Sequence, residues 1–456
     1  MNAGPVLVIG LGRTGVAVCE ALLPAPGITV YEQERSPATQ QAAEALSAEG
    51  VKVVFGEPSL DLLDGIELVV PSPGVPPAHP LIVGALTRGI PVRSEVELGF
   101  QMTTAPVTAV TGTNGKTTVT TLIARILEEG GLDAVASGNI GFPFITAAKQ
   151  AGANRELVCE VSSFQLEYTD KFRPAVALVT NVAPDHLDWH ESYRAYLAAK
   201  AKITANQTAD DLLIVAAGDE GGSNIAESSK ARIALFGLRP PDELRESAAA
   251  GMLAETVAGI DGDAVIVEQD GERSELMSVA DIRVTGAHNL ENVMAACLAG
   301  RERGVAPDAI AEAVSSFEGL PHRGRLVAEI KGVHYIDDSK ATNPAAAIAA
   351  CRGLERVILI AGGRAKGLDL TALNETRPSL KAVVVMGESA RQMARVFDGV
   401  RCYSADWVED AVDVAAGLAR EGDTVLLSPG CSSLDQYQSY AERGDRFAAR
   451  VKQLEH

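Results

Sequence analysis

The strongest constraint on the fold of this chain is a repeating rhythm. A short apolar run is followed by a turn rich in Gly or Ser, and then by an Ala- and Leu-rich helical stretch. The runs include VLVIG (6–10), IELVV (66–70), PVTAV (106–110), ELVCEV (156–161), AVALVTN (175–181), RVILIAGG (356–363), KAVVVMG (381–387) and TVLLSPG (424–430). Continuous Val/Ile/Leu runs are the signature of parallel strands buried on both faces. Their alternation with helices implies β-α-β units, so the fold class is α/β. At ~150 residues per domain, 456 residues suggest about three domains. One boundary is expected near 94, after PSPGVPPAHP and within IPVRSEVELG. The other is expected near 319, at FEGLPHRGR. The division is thus 1–94, 95–319 and 320–456. Residues 210–281 are rich in Gly, Asp and Glu, with pieces such as DAVIVEQD, and read as a peripheral antiparallel patch or elaborated loops.

Composition excludes several function classes. There are 60 acidic and 40 basic residues, a formal charge of −20. That argues against general nucleic-acid binding and against docking on anionic lipid. No apolar stretch approaches the ~20 residues of a membrane span. The N-terminus MNAGPVLVIG has no basic region or cleavage pattern. Cys19, Cys159, Cys297, Cys351, Cys402 and Cys431 are scattered without a Cys-x-x-Cys pair. A cytoplasmic protein is expected.

VLVIGLGRTG puts Gly10, Gly12 and Gly15 directly after a strand, with a helical stretch behind them. The second strand, ITVYE, ends at Glu32, about 20 residues on. Glycines there let the backbone approach a diphosphate, and the helix N-terminus stabilises its charge. Three readings stay open: NAD with Glu32 on a ribose hydroxyl, another nucleotide diphosphate, or a ligand-free tight turn. A second glycine turn, PSPG (71–74), follows the IELVV strand.

The segment PVTAV-TGTNGKTT-VTTLIARILEEG is more specific. Gly112, Thr113, Asn114, Gly115, Lys116, Thr117 and Thr118 join a strand to a long amphipathic helix. Such a loop cradles phosphates with backbone N–H groups, reaches the β/γ-phosphates with its Lys, and offers a Thr hydroxyl to Mg²⁺. Val110 stands where the strict phosphate-loop pattern has its first Gly, so the loop is a shortened variant. Glu160, at a strand tip in the same unit, suits a Mg²⁺ ligand. His186, between Asp185 and Asp188, reads equally as a ligand or as an ordinary loop histidine. Lys200, in YRAYLAAKAKIT, reads as a solvated helix lysine.

Three polar loops follow strands in the last third of the chain. YIDDSKATNP carries Asp337, Asp338, Ser339, Lys340, Thr342 and Asn343; LIAGGRAKG carries Lys366; LLSPGCSSLDQ carries Ser428, Ser432, Ser433, Leu434 and Asp435, with Tyr440 and Arg443 beyond. GLPHR adds His322 and Arg323. Loops at the carboxyl ends of parallel strands form the ligand crevice of an open α/β sheet, and Lys340 with Lys366 points to an anion.

With these segments assembled, the chain resembles the Mur ligase superfamily along its whole length. GLGRTG, SPGV, TGTNGKTT, GNIG, EVSSFQLE, DHLD, the lysine of YLAAK, GAHNLEN, GLPHR, DDSKATN, GGRAKG, and SPGCSSLDQ with ERG carry the resemblance. TGTNGK is shared with folylpolyglutamate synthases. SSFQLE, DSKATN and SLDQ are similar to the D-glutamate-adding branch, and the Asp-Asn-Pro-Arg motif of the diamino-acid-adding ligases is absent. The resemblance implies an N-terminal Rossmann-like domain that binds a UDP-linked substrate. It implies a central phosphate-loop ATPase-like domain and a C-terminal Rossmann-like domain that holds D-glutamate and contacts the nucleotide. It further implies that Gly12, Arg13, Thr14, Ser72, Gly74 and Asn139 bind the UDP substrate, and that residues 112–118 bind ATP phosphates. Asn292, Arg323 and Asp338 would contact adenine or ribose. Lys340, Thr342, Lys366, Ser433, Leu434 and Tyr440 would form the D-glutamate pocket. Thr117, Glu160 and His186 would hold Mg²⁺, with a second Mg²⁺ on Lys200 converted to its carbamate; Lys116, Glu160, His186 and Lys200 would be the catalytic set. YEQERSP departs from the family where relatives grip uracil, leaving Glu32, Gln33 and Arg35 near that place.

The implied reaction is ATP-dependent addition of D-glutamate to UDP-N-acetylmuramoyl-L-alanine through an acyl phosphate, in cytoplasmic peptidoglycan precursor synthesis. A monomer is expected, with no nucleic acid and no membrane insertion. The alternatives are another amide ligase of the superfamily, L-alanine-adding or folylpolyglutamate synthase-like, and an NAD-type dehydrogenase. The three expected domains carry net charges of −4, −16 and 0, with −11 in residues 210–281 alone. A locally basic cleft around Lys116, Arg323, Lys340 and Lys366 is therefore expected inside an acidic protein.

Overall fold

The computed structural model describes residues 4–246, 253–269, 271–284 and 286–454. It comprises three α/β domains, each on its own sheet. The first sheet holds β1 (Val6–Ile9), β2 (Ile28–Glu32), β3 (Lys52–Phe55) and β4 (Leu68–Pro71), all parallel, in the order β3-β2-β1-β4. The order in which strands are added reverses between β1 and β4, so the glycine turns after these two parallel strands face each other across a switch point. Ser72 Oγ donates to Gly10 O at 3.4 Å across it.

The central sheet has nine strands: β5 (Val107–Thr111), β6 (Ala134–Gly138), β7 (Glu156–Glu160), β8 (Val176–Val179), β9 (Leu212–Ala216), β10 (Arg232–Phe236), β11 (Ala254–Asp261), β12 (Ala264–Gln269) and β13 (Glu272–Ser278). Their order is β13-β12-β11-β10-β9-β8-β5-β7-β6. The expectation for residues 210–281 is corrected here. Pairing is antiparallel only along the edge β11-β12-β13; β9 and β10 are buried parallel strands that continue the main sheet, and β11 joins β10 in parallel. LLIVA and RIALF are short apolar runs of the kind that mark the other strands, hidden by the acidic segments around them. Alternate residues of β5, β8 and β9 feed two cores, Val110, Leu178 and Ile214 on one face and Ala109, Val179 and Leu213 on the other.

The third sheet holds β14 (Arg325–Ile330), β15 (Val333–Asp337), β16 (Val357–Gly362), β17 (Leu380–Met386), β18 (Cys402–Ser404) and β19 (Thr424–Leu427), ordered β14-β15-β19-β16-β17-β18, with only β14 antiparallel. The three polar loops expected to form a crevice follow β15, β19 and β16, which are neighbours.

The junctions between domains differ in kind. Leu98 and Ile145 of the central domain are buried in the core cluster of the N-terminal domain. Lys149 Nζ donates to Glu20 O at 2.9 Å and Ala21 O at 3.0 Å, capping the last turn of the helix Arg13–Leu22 with positive charge. The C-terminal domain instead meets the central domain at the loops after β5 and β8 through polar side chains, Arg323 on Thr117 and Asn343 on Asn114 and Asp185. Among the described residues no helix is long and apolar enough to cross a membrane.

Candidate active site

The phosphate loop turns on two glycines. Gly112 sits at φ +144°, where a Cβ would lie 1.9 Å from Thr180 Oγ1. Gly115 sits at φ +83° and caps the helix Lys116–Glu129; a Cβ there would lie 2.3 Å from Asn292 Oδ1. Only glycine combines that backbone with that approach. The loop is stapled to the segment after β8: Thr113 N donates to Asn181 O at 2.8 Å, Asn114 N to Asn181 Oδ1 at 3.0 Å, and Thr113 Oγ1 to Ala183 O at 2.9 Å. Lys116 Nζ folds back onto its own loop, donating to Gly112 O and Thr113 O, each at 2.9 Å.

Lys200 is not the solvated lysine that composition and spacing suggest. It is 1% exposed and its Nζ donates to Gly112 O at 2.6 Å, so two lysines share one carbonyl. Tyr196, one turn earlier, presents its ring 4.6 Å below the Lys200 amine and its hydroxyl 3.0 Å from Thr113 Oγ1. Burial, and then the Lys116 charge, pushes the Lys200 pKa well below the ordinary lysine range. The i, i+4 spacing of Tyr196 and Lys200 was the available signal that both face inward.

Glu160, at the end of β7, is 2% exposed. Its Oε1 accepts from Asn139 Nδ2 at 2.9 Å, while its buried Oε2 has no hydrogen-bond partner among the described residues. His186 has left-handed backbone (φ +51°) and packs edge-on against Phe164, with ring centroids 4.9 Å apart. Asp185 braces it: Oδ1 accepts from His186 N at 2.9 Å, and Oδ2 lies 3.7 Å from His186 Nε2.

From the C-terminal domain, Arg323 Nη2 donates to Thr117 Oγ1 at 2.7 Å. Lys340 Nζ lies 3.9 Å over the Tyr440 ring, and burial, with Arg323 and Lys116 nearby, lowers its pKa to about 8. Asp338 Oδ2 accepts from Ser428 Oγ at 2.7 Å, and burial raises its pKa to about 7. His322 Nδ1 lies 2.6 Å from Asp337 Oδ2, and that bond raises the histidine pKa. Four cationic side chains thus converge, Lys116, Lys200, Arg323 and Lys340; burial lowers the pKa of all four, and neighbouring cations lower those of Lys116, Lys200 and Lys340 further, which is the electrostatics of a cleft built for anions.

These groups line a chain of three cavities. One, of about 540 Å³, is walled by the phosphate loop, Glu160, His186, Lys200, Arg323, Lys340, Thr342 and Tyr440. A second, of about 270 Å³, holds Asn114, Gly115, Thr118, Asn292, Arg323, Asp338 and Lys340 and extends to His288, Glu291 and Arg352. A third, of about 210 Å³, holds Arg13, Thr14, Glu95, Asn139 and Gln165. Asn139 lines the first and third; Asn114, Gly115, Arg323 and Lys340 line the first and second. Lys366, Ser433 and Leu434 line none of the three. Lys366, at φ +52° after β16, is near enough for its charge to lower the Lys340 pKa; Ser433 is buried and Leu434 is 59% exposed. Gly12 and Gly74 lie exposed on the two facing turns of the first sheet. Glu32 holds the glycine loop itself, its Oε2 accepting from Leu11 N at 2.8 Å and its Oε1 from Glu34 N at 3.1 Å. Arg35 stacks its guanidinium 4.7 Å from the Phe55 ring.

Asp185, Tyr196 and Gln165, which carry no motif signal of their own, also stand in this constellation, together with Asn343 of the crevice loop after β15. Asn343 Nδ2 donates to Asp185 Oδ2 at 3.1 Å and Asn114 Oδ1 at 3.3 Å across the domain junction.

Comparison with known proteins agrees over the whole length. Residues 4–94 match the family description "Mur ligase MurD-like, N-terminal domain", 110–300 "Mur ligase middle domain", and 322–431 "Mur ligase, glutamate ligase domain". The chain is 38% identical over 455 residues to a protein of Pelotomaculum thermopropionicum named UDP-N-acetylmuramoylalanine--D-glutamate ligase, covering 98% of this chain and 97% of that one. It is 39% identical over 456 residues to one of the same name from Geobacillus kaustophilus, with the same coverage. Among solved structures it is similar to MurF from Acinetobacter baumannii (TM-score 0.61, 15% identity, 98% of this chain and 93% of that one). It is also similar to a pseudomurein peptide ligase type C from Methanothermus fervidus (TM-score 0.61, 17% identity, 99% and 100%). The structures share the fold, and the relatives share the sequence from end to end: the chain belongs to the Mur ligase family.

Proposed function

We propose that this chain is an ATP-dependent amide ligase that joins D-glutamate to the alanyl carboxylate of UDP-N-acetylmuramoyl-L-alanine, acting as a cytoplasmic monomer in peptidoglycan precursor synthesis. The observation that carries the reading is that the three cavities adjoin, sharing Asn139 at one junction and Asn114, Gly115, Arg323 and Lys340 at the other. A cavity with Arg13, Thr14 and Asn139 suits the UDP-linked substrate, one with Asn292, Asp338 and Arg323 suits adenosine, and both adjoin the cavity between them. The tethered carboxylate and the γ-phosphate therefore meet beside Lys116, Glu160 and Lys200.

In this reading the alanyl carboxylate attacks the γ-phosphorus and ADP leaves, giving an acyl phosphate. The D-glutamate amine then attacks the acyl carbon, and the tetrahedral intermediate expels phosphate and loses a proton to leave the amide. Lys116 exchanges its two loop carbonyls for phosphate oxygens. Arg323 reaches the phosphate end of the loop from the neighbouring domain, as its bond to Thr117 supports. Lys340, Thr342 and Tyr440 on the opposite wall, with Lys366, Ser433 and Leu434 behind them, orient the dicarboxylate. Catalysis is positioning plus charge stabilisation, without an enzyme nucleophile.

The residues fit Mg²⁺. Glu160 offers a buried carboxylate oxygen that nothing else satisfies, and Thr117 and His186 stand on the same cavity. Among the described residues no three His, Cys, Asp or Glu side chains form a metal site on their own. The remaining donors would be phosphate oxygens, water and a carbamate on Lys200, in keeping with the way Mg²⁺ is usually held in phosphoryl-transfer sites. Bound there, two Mg²⁺ would neutralise charge developing on the transferred phosphoryl group. Lys200 suits carbamylation because its buried amine favours the neutral form, which adds to the carbon of CO₂ and releases a proton.

The test is an amino-acid panel with the UDP-linked monopeptide, ATP and Mg²⁺, following phosphate release. D-glutamate should stand alone in supporting turnover. Turnover no greater with D-glutamate than with L-alanine or L-glutamate would overturn the assignment.

A further inference from the structure

Asn343 has a geometry that the ligase reaction as described does not use. It is 3% exposed and sits at the N-cap of the helix Pro344–Cys351 in the C-terminal domain. Its Oδ1 accepts from Ala346 N at 2.8 Å, which fixes the orientation of the amide. The Nδ2 group is thereby aimed out of its own domain. Its two hydrogens go to Asp185 Oδ2 at 3.1 Å and to Asn114 Oδ1 at 3.3 Å. Asn114 is in the phosphate loop. Asp185 holds the backbone N–H of His186 with its other oxygen. One amide therefore touches both the nucleotide loop and the carboxylate that braces a proposed metal ligand, and it comes from the domain that carries Lys340 and Thr342.

From this juxtaposition we infer that Asn343 is a positioning residue, a latch that registers the C-terminal domain on the phosphate loop and on the Asp185–His186 pair. The inference rests on the ligase reading for its catalytic consequence, and on geometry alone for its structural one. The latch is built from complementarity: a donor on one domain faces two acceptors on the other. Asparagine and aspartate cap helices about equally well. Asn343→Asp therefore keeps the cap but sets a carboxylate against the Asp185 carboxylate. Adding Asp185→Asn restores a donor–acceptor pair with its polarity reversed.

Three proteins are compared: wild type, Asn343→Asp, and Asn343→Asp with Asp185→Asn. The single variant should lose about 100-fold in kcat/KM for D-glutamate, the scale of buried polar groups left mispaired. The double variant should recover at least about tenfold of that. Small-angle scattering, with and without Mg·AMP-PNP, should show the single variant more extended than wild type and the double variant returned toward it. Helical circular dichroism separates misfolding from loss of register. A single variant with wild-type kinetics and dimensions, or a double variant no better than the single, would overturn the latch. If wild type gave no D-glutamate-dependent turnover, the functional reading would fall, and the scattering comparison would still decide the latch.

Discussion

Two glycine loops in this chain look alike in sequence and differ in structure. Both follow a buried parallel strand and open a helix. The loop at Gly112 is caged: Lys116 binds it from within, Lys200 binds it from a neighbouring helix, segment 180–183 staples it from one side, and Arg323 reaches it from another domain. The loop at Gly10–Gly15 is tight at its ends, where a Cβ on Gly10 would lie 2.8 Å from Ser72 Oγ and one on Gly15 1.9 Å from Gly10 O, but open at its tip. Gly12 and Arg13 are exposed, and a Cβ on Gly12 would meet nothing within 4 Å. The difference matches the tasks proposed for them. A loop that transfers a phosphoryl group must exclude water and concentrate charge. A loop that anchors one end of a long substrate needs a diphosphate-sized cradle with an open side.

That contrast can be broken at several points. The largest effect is expected for Lys116→Ala, which should lower kcat by at least about 1,000-fold. Near-normal turnover would mean the cage does not perform the transfer. Lys200→Ala should cost about 100-fold or more and be partly rescued by short carboxylic acids that replace a carbamate; full activity without rescue would return Lys200 to a packing role. Gly112→Ala should destabilise the protein by about 3 kcal/mol or more, since it combines positive φ with a clash. Gly12→Ala should stay within about 1 kcal/mol in the same denaturant titration. Equal losses at the two glycines would erase the distinction between caged and open loops.

The smallest effect concerns pH. Glu95 borders the cavity of the open loop, buried, with its Oε1 accepting from Ile145 N at 2.6 Å; burial raises its pKa to about 7. Between its ordinary carboxylate range and pH 7 the folded state holds a proton that the unfolded state has lost, so this group costs stability as pH rises through that window. Glu95→Gln should therefore gain on wild type from about pH 4.5 to 7, by on the order of 1–3 kcal/mol. A flat difference across that range would contradict the buried-carboxyl account.

The parts of this design that were legible in the sequence are those written locally. The apolar runs announced the parallel strands, and the glycine spacing announced both loops. Lys116 and Glu160 were readable from their place at a helix start and a strand tip. Lys200 was not, because its burial depends on Gly112, 88 residues away, and on Tyr196 packing beside it. The contacts of Asn343 escaped for the same reason, its partners lying 158 and 229 residues earlier. Strands β9 and β10 were obscured by the acidic stretch that surrounds them, where charge outweighed short apolar runs. Family resemblance supplied what spacing could not for Lys200, and the packing now gives the physical reason that a lysine there is chemically unusual.

The two loops divide the labour of holding the two large substrates, and titration calorimetry of two variants separates their contributions. Arg13 donates to Gly141 O at 2.7 Å at the mouth of the open loop. Arg13→Ala should weaken binding of UDP-N-acetylmuramoyl-L-alanine by at least about tenfold and leave Mg·AMP-PNP binding within about twofold of wild type. Lys116→Ala should do the reverse. If either substitution weakened both ligands equally, or if Arg13→Ala removed the nucleotide instead of the UDP substrate, the division of labour would be contradicted.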